Sequence, residues 1–271
     1  MRSFLLALQF LTVIPVRVGG EVTARTMGRA TAFFPLAGAF QGCVVAGTVT
    51  LLLPALGPLP AAALAVAILA GLNGAFHLDG LSDTLDAARI KSAGDPAADR
   101  ERRPRIMRDS TAGPVGVAGI VFVLLLQFSA VSSLLTGTGR FPVGLIAIVL
   151  SGTLSRWAMA AAIAGGRSAR AEGLGYLLIE NAGLREFFPA SLWTILLVAP
   201  LFLLVPVPIR ASFAAAVSGA LAAVLAGVLL TKTLGNRLVG GLTGDLLGAL
   251  SEIGEVAVLF VCVIWNRQLS I

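Results

Sequence analysis

The sequence predicts an all-α fold: a polytopic membrane helical bundle with about seven spans, preceded by an amino-terminal interfacial helix or half-span. Three observations predict it. Of 271 residues, 57% are hydrophobic and only 13% are charged, against about a quarter charged in soluble domains. Apolar stretches recur along the whole chain, each near the ~20 residues that cross a bilayer as a helix. The connecting loops alternate between strongly charged and nearly neutral.

The elements follow in order. Met1 to Val16 is apolar, lacks a small-x-small cleavage site and runs into Arg17, Arg25 and Arg29. It therefore reads as a retained interfacial helix or half-span and not as a removed signal. Spans are predicted at about 33–53, 58–76, 113–135, 141–164, 187–206, 211–231 and 247–265. Cys43 and Cys262 lie in separate apolar runs, with neither ligand spacing nor a disulfide framework, and read as packing residues. No internal repeat or soluble segment divides the chain, so residues 1–271 read as a single integral-membrane catalytic domain.

Charge orients the bundle. Loops at 54–60, 136–140 and 207–210 hold only Arg140 and Arg210, whereas 1–32, 77–112, 165–186 and 232–246 hold sixteen of the twenty Lys and Arg. The positive-inside tendency puts the second set in the cytoplasm. The net charge of +6 follows from this bias and suits anionic lipid headgroups of the bilayer. No aromatic-interleaved basic motif supports nucleic-acid binding. All fourteen carboxylates fall in or near the charged set, which a Lys/Arg rule does not require. A cytoplasm-facing site rich in both signs accounts for them.

The sharpest motif is His77-Leu78-Asp79-Gly80-Leu81-Ser82-Asp83-Thr84-Leu85-Asp86, directly after the second apolar run. On a helix, Asp79, Asp83 and Asp86 stack on one face. Three like charges repel unless a cation lies between them, and hard oxygen donors suit Mg²⁺, with Mn²⁺ as a substitute. Asn73, six residues earlier, could share that face as a substrate-binding group. The bland alternative is a solvated acidic helix end paired with the arginines that follow. Asp109 closes the same loop as a candidate fourth ligand, or as a simple capping neighbour. Ser110 or Thr111 can cap the third span with Pro114 in its first turn. Between triad and Asp109 lie Arg89, Lys91, Arg100, Arg102, Arg103, Arg105 and Arg108. They serve as topology determinants, or as forks for phosphate oxygens left free by a divalent metal.

A third constellation precedes the last span: Gly240-Gly241-Leu242-Thr243-Gly244-Asp245, with Gly248 and Ala249 following. Its glycines let backbone amides approach an anion near Thr243 and Gly244, and Asp245 could ligate metal or accept a proton. Glu252 and Glu255 enter the membrane zone, where carboxylates are costly and usually functional, and Arg156 is the obvious charge partner for one of them. The region 165–186, with Arg167, Arg170, Glu172 and five glycines, reads as a polar loop over the site.

These residues together resemble the cobalamin synthase family, the adenosylcobinamide-GDP ribazoletransferases. The resemblance runs nearly end to end. It takes in Leu8-Gln9-Phe10-Leu11-Thr12 with Ile14-Pro15, Phe34-Pro35-Leu36 with Gly38 and Gly42, and Phe76 to Leu81 with Asp83 and Asp86. It continues through Ile106-Met107 with Asp109-Ser110, Arg156-Trp157, Gly173-Leu174-Gly175, and Gly241 to Asp245 with Gly248-Ala249. Ala87 stands where the family has glycine, and Thr111 where it has a longer, often basic residue; neither departure removes a carboxylate.

The resemblance implies a reaction. The ribose hydroxyl of α-ribazole, or of its 5′-phosphate, attacks the corrinoid-side phosphorus of adenosylcobinamide-GDP, and GMP leaves. The product is adenosylcobalamin or its 5′-phosphate, with Mg²⁺ required. On that basis Asp79, Asp83, Asp86 and Asp109 are assigned to metal, and His77 or Asp245 to proton transfer. Arg105 and Arg108 are assigned to diphosphate oxygens, and Asn73, Thr243 and Gly244 to substrate. The setting is the cell (inner) membrane, multi-pass, with the site facing the cytoplasm; the apolar surface admits a homo-oligomer. Two rivals remain. A CDP-alcohol phosphatidyltransferase-like enzyme has a faint echo in Asp83 to Arg89, without that family's downstream spacing. A cation transporter is disfavoured because its sites gather near mid-bilayer, often between repeats.

Overall fold

The computed structural model describes residues 2–90, 103, 112–136 and 143–269. Asp109, Arg105 and Arg108, like Lys91, Arg100, Arg102, Ser110 and Thr111, lie outside the described residues. Within them the fold is helical throughout: α1 (Arg2–Leu11), α2 (Ala24–Ala30), α3 (Phe34–Leu56), α4 (Pro58–Leu72), α5 (Phe76–Arg89), α6 (Pro114–Leu135), α7 (Val143–Ile163), α8 (Leu174–Asn181), α9 (Leu184–Val198), α10 (Leu201–Leu204), α11 (Arg210–Leu238) and α12 (Gly244–Gln268). A short 3₁₀ turn, Thr31–Phe33, joins α2 to α3. Six helices, or runs of consecutive helices, are long and apolar enough to cross a membrane, and α4 with α5 makes a seventh when counted together. The bundle is a multi-pass membrane architecture, as the apolar runs predict.

Helix α7 is the central post. Its membrane-length window is 94% buried, against 17% for Leu184–Leu204, so α7 meets protein and Leu184–Leu204 largely meets lipid. Lipid tails are as apolar as leucine and do not drive α7 onto its neighbours; close backbone packing does. Gly38 of α3 and Gly152 of α7 supply it: a Cβ at Gly38 would sit 2.0 Å from the Gly152 carbonyl oxygen, and one at Gly152 2.6 Å from that of Gly38. A larger residue at either place would push the two helices apart.

Helix α1 is ten residues long, about 15 Å, and too short to span. It buries Leu6, Ala7, Leu8 and Leu11 against α2 and α3. The buried Gln41 of α3 ties its end down by donating to the Leu11 carbonyl at 2.7 Å.

The second apolar run departs from expectation. It stops at Leu72, and the chain turns by 85° before α5 begins. Gly74 (φ +62°) and Ala75 (φ +58°) both take the left-handed conformation, which reverses the local path. For alanine this is an uncommon, strained choice. Asn73 is thus the residue that ends α4, not a member of the aspartate helix. Helix α5 then packs between α12 and α6 at the charged end of the bundle.

Candidate active site

The stripe of three aspartates forms on α5 as its spacing requires, but its members meet different surroundings. Asp79 is exposed, Asp83 half-buried and Asp86 buried. Asp86 reaches the start of α6, where Oδ2 accepts from the Gly113 amide at 2.7 Å and Oδ1 from the Gly116 amide at 3.1 Å. A helix start leaves such amides without intrahelical partners and favours negative charge. Gly113 and Gly116 make room, since a Cβ at either would lie 2.5 Å from a carboxylate oxygen of Asp86. Gly113 occupies the cap position, with Pro114 in the first turn; the cap expected from Ser110 or Thr111 is supplied in space by Asp86.

Asp245 joins the other two. Helix α12 starts there, capped by Thr243, whose hydroxyl accepts from the Leu246 amide at 3.2 Å. α5 crosses α12 at Gly80, where a Cβ would lie 2.7 Å from the Asp245 carbonyl oxygen. Asp83 consequently feels the charges of Asp79, Asp245 and Asp86, and also that of Arg170. The sequence places Arg170 in the polar loop over the site without giving it a partner. Its Nη2 donates to Asp245 Oδ2 at 2.6 Å. A strap holds it there: Ser168 and Leu242 form an isolated parallel bridge, Leu242 N donates to the Arg167 carbonyl at 2.7 Å, and Ala169 N donates to that of Leu242 at 2.8 Å. Only the glycine density of 165–175, beside Arg167 and Arg170, hinted at this role.

Around these groups lies a cleft of about 340 Å³. Gln9 and Phe10 of α1, Phe76, His77 and Asp79 of α5, Met159 of α7, Ser168 and Arg170 of the strap, Tyr176 of α8, and Thr243, Gly244 and Asp245 line it. Asn73 is not among its walls; it is buried, with neither side-chain polar atom hydrogen-bonded. His77 is buried where Gly248 lets α12 approach, its Nδ1 3.4 Å from Nη2 of Arg156. Arg156 carries no lone pair, so Nδ1 must accept and the ring proton resides on Nε2. Deeper still, Arg156 pairs with Glu255 and donates to Ser155 Oγ, while Gln127 donates to Glu252 at 2.9 Å. One membrane carboxylate, Glu255, is therefore paired with Arg156 within the bundle, as the sequence anticipates, and Glu252 is held by a neutral amide. A separate cavity of about 600 Å³ lies on the flank between α7, α9 and α11. Leu154, Trp157, Ile195, Phe202 and Leu225 line it with no titratable group, so it lacks the means for phosphate chemistry.

The donor set suits a hard divalent ion. Asp79 and Asp83 have no side-chain hydrogen bond or ion pair with described residues, and among those residues Arg170 is the one guanidinium felt by Asp83 against Asp79, Asp86 and Asp245. Among the described residues no three His, Cys, Asp or Glu side chains form a ready-made metal site. Mg²⁺ needs none: it usually keeps several waters and binds through one or two carboxylates and substrate phosphates.

Comparison with known proteins bears on the same segments. Residues 3–263 match the model of the cobalamin-5-phosphate synthase family. The chain belongs to that family. Curated relatives named adenosylcobinamide-GDP ribazoletransferase agree with the match. The one from Geotalea daltonii is 36% identical over 196 residues, covering 72% of this chain and 74% of its own. That of Pseudomonas entomophila is 40% identical, covering 67% and 70%. That of Thermodesulfovibrio yellowstonii is 32% identical, covering 79% and 77%. No solved structure matches the chain.

Proposed function

We propose that this protein is an adenosylcobinamide-GDP ribazoletransferase acting at the cytoplasmic face of the cell (inner) membrane. It transfers the adenosylcobinamide phosphate group to the ribose hydroxyl of α-ribazole or its 5′-phosphate. The new bond joins the ribose oxygen to the corrinoid-side phosphorus. The bond from that phosphorus to the bridging oxygen breaks, and GMP leaves with the oxygen. The observation that carries the reading is spatial: Asp79 of α5, Arg170 of the strap and Asp245 at the start of α12, far apart in a chain matched almost throughout to the family, line one cleft, with Asp83 within electrostatic reach of all three.

Asp79 and Asp83 hold Mg²⁺, which when bound offsets charge on the diphosphate and the leaving nucleotide. Asp86 acts on the same helix from behind, fixing α5 to α6 through two amides. Arg170 faces the diphosphate oxygens and orients Asp245, which accepts the hydroxyl proton. His77, with its proton on Nε2, acts as a hydrogen-bond donor to substrate, so Asp245 is the better of the two proton acceptors named from sequence. The cleft is smaller than a corrinoid nucleotide, so it takes the diphosphate end while the corrin ring stays outside, against the apolar rim of Phe10 and Phe76.

The test is GMP release by proteoliposomes given adenosylcobinamide-GDP, with α-ribazole or its 5′-phosphate and Mg²⁺. Release should require the ribazole substrate and stop with a chelator. Absence of ribazole-dependent release from folded protein would overturn the reading.

A further inference from the structure

Behind the strap that carries Arg170 lies a second polar cavity, of about 370 Å³. Gly165, Gly166, Arg167, Lys232, Asn236 and Gly240 line it. It shares no lining residue with the acidic cleft. The Ser168–Leu242 bridge separates the two: Arg167 and Leu242 face the cavity, while their neighbours Ser168 and Thr243 face the cleft. The two spaces have opposite charge. The cleft gathers carboxylates; the cavity has two cations and an amide, and no carboxylate among its described walls.

The cations are available. Lys232 Nζ donates to the Ala164 carbonyl at 2.7 Å, which uses one of its three protons. Arg167 is exposed and holds no ion pair with a described residue. Lys232 and Asn236 stand four residues apart on α11 and so share one face.

Depth in the membrane narrows the ligand. Helix α11 has 29 residues, about 43 Å of rise, which exceeds a hydrocarbon core of about 30 Å. Its last turns therefore stand among headgroups. Leu229 and Leu230, just before Lys232, are 68% and 55% exposed and mark the lipid-facing surface below. We propose that this cavity is a phosphate site, in which Arg167, Lys232 and Asn236 hold an anionic phosphate group at headgroup depth. The phosphate comes from an anionic phospholipid of the surrounding leaflet or from a free phosphate in solution. The site is independent of the reaction proposed above, because no side chain is shared.

The experiment uses the full chain in phosphatidylcholine nanodiscs. One arm adds phosphatidylglycerol and counts lipid retained by native mass spectrometry; the other titrates inorganic phosphate calorimetrically. Wild type should retain one anion in one of the two arms, and that arm identifies the source. Arg167→Gln and Lys232→Gln should each weaken retention at least five-fold, the loss of one direct hydrogen bond to the phosphate, about 1 kcal/mol. Asn236→Asp, which places a carboxylate in the cavity, should weaken it too and serves if a glutamine variant fails to fold. Arg237→Gln, outside the cavity, should change nothing. Equal retention by wild type and the cavity variants in both arms, or an equal loss in Arg237→Gln, overturns the proposal.

Discussion

Replacing Asp83 and Asp86 separately tests whether the aspartate stripe divides its labour. Asp86→Asn keeps one acceptor oxygen and loses the charge, so one of the two amides at Gly113 and Gly116 loses its partner. Losing such a cap costs about 0.5–2 kcal/mol. Because both amides are enclosed by the α5–α6 packing, the upper half of that range is expected. Asp83→Asn removes a half-buried carboxylate surrounded by three others. It relieves repulsion in the metal-free protein, so stability should hold or rise while Mg²⁺ affinity falls. Thermal unfolding in micelles, with and without Mg²⁺, and calorimetric Mg²⁺ titration separate the two effects. Asp86→Asn should melt lower yet bind Mg²⁺ within about three-fold of wild type. Asp83→Asn should melt no lower, bind Mg²⁺ at least ten-fold more weakly and lose turnover. A ten-fold loss of Mg²⁺ affinity in Asp86→Asn at unchanged stability would refute the division.

Two further outcomes follow. Arg170→Gln should lower GMP release at least a hundred-fold, about 2.7 kcal/mol of transition-state stabilisation, with the melting temperature little changed; a loss confined to KM would show that Arg170 only binds. Arg156→Met leaves Glu255 without its partner and should destabilise the fold by about 3–5 kcal/mol, measured by denaturation in mixed micelles. Arg156→Met with Glu255→Gln should recover at least half of that, and no recovery would show that the pair is not the source.

Much of the fold was legible because a bilayer permits few solutions. The long apolar runs became spans, and Arg156 found Glu255 because a charge at that depth must be met. The bend after Leu72 was not legible, since Asn73, Gly74 and Ala75 look like any small-residue stretch; Ala75 N donates to the Ala70 carbonyl at 2.9 Å, and Val13, far off in sequence, donates its amide to the Leu72 carbonyl at 2.8 Å. The stripe on α5 was readable from spacing alone. That Asp86 would turn to a helix start beyond the intervening loop was not, because capping is usually local. Arg170 was read as part of a polar loop over the site, but its role was hidden for the same reason. Its partner Asp245 lies 75 residues away, and only the strap brings them together.

The Arg156–Glu255 pair also has a consequence in time. Ribosomes make chains from the amino end, so the central helix enters the membrane with its guanidinium long before the last helix exists. Until α12 arrives, Arg156 must borrow water or headgroup oxygens, and α7 cannot settle at its final depth. The buried pair is therefore completed only once α12 has been made. A chain interrupted before Glu255 carries an unanswered charge at its centre, a mark that membrane quality control can read before any activity is missed.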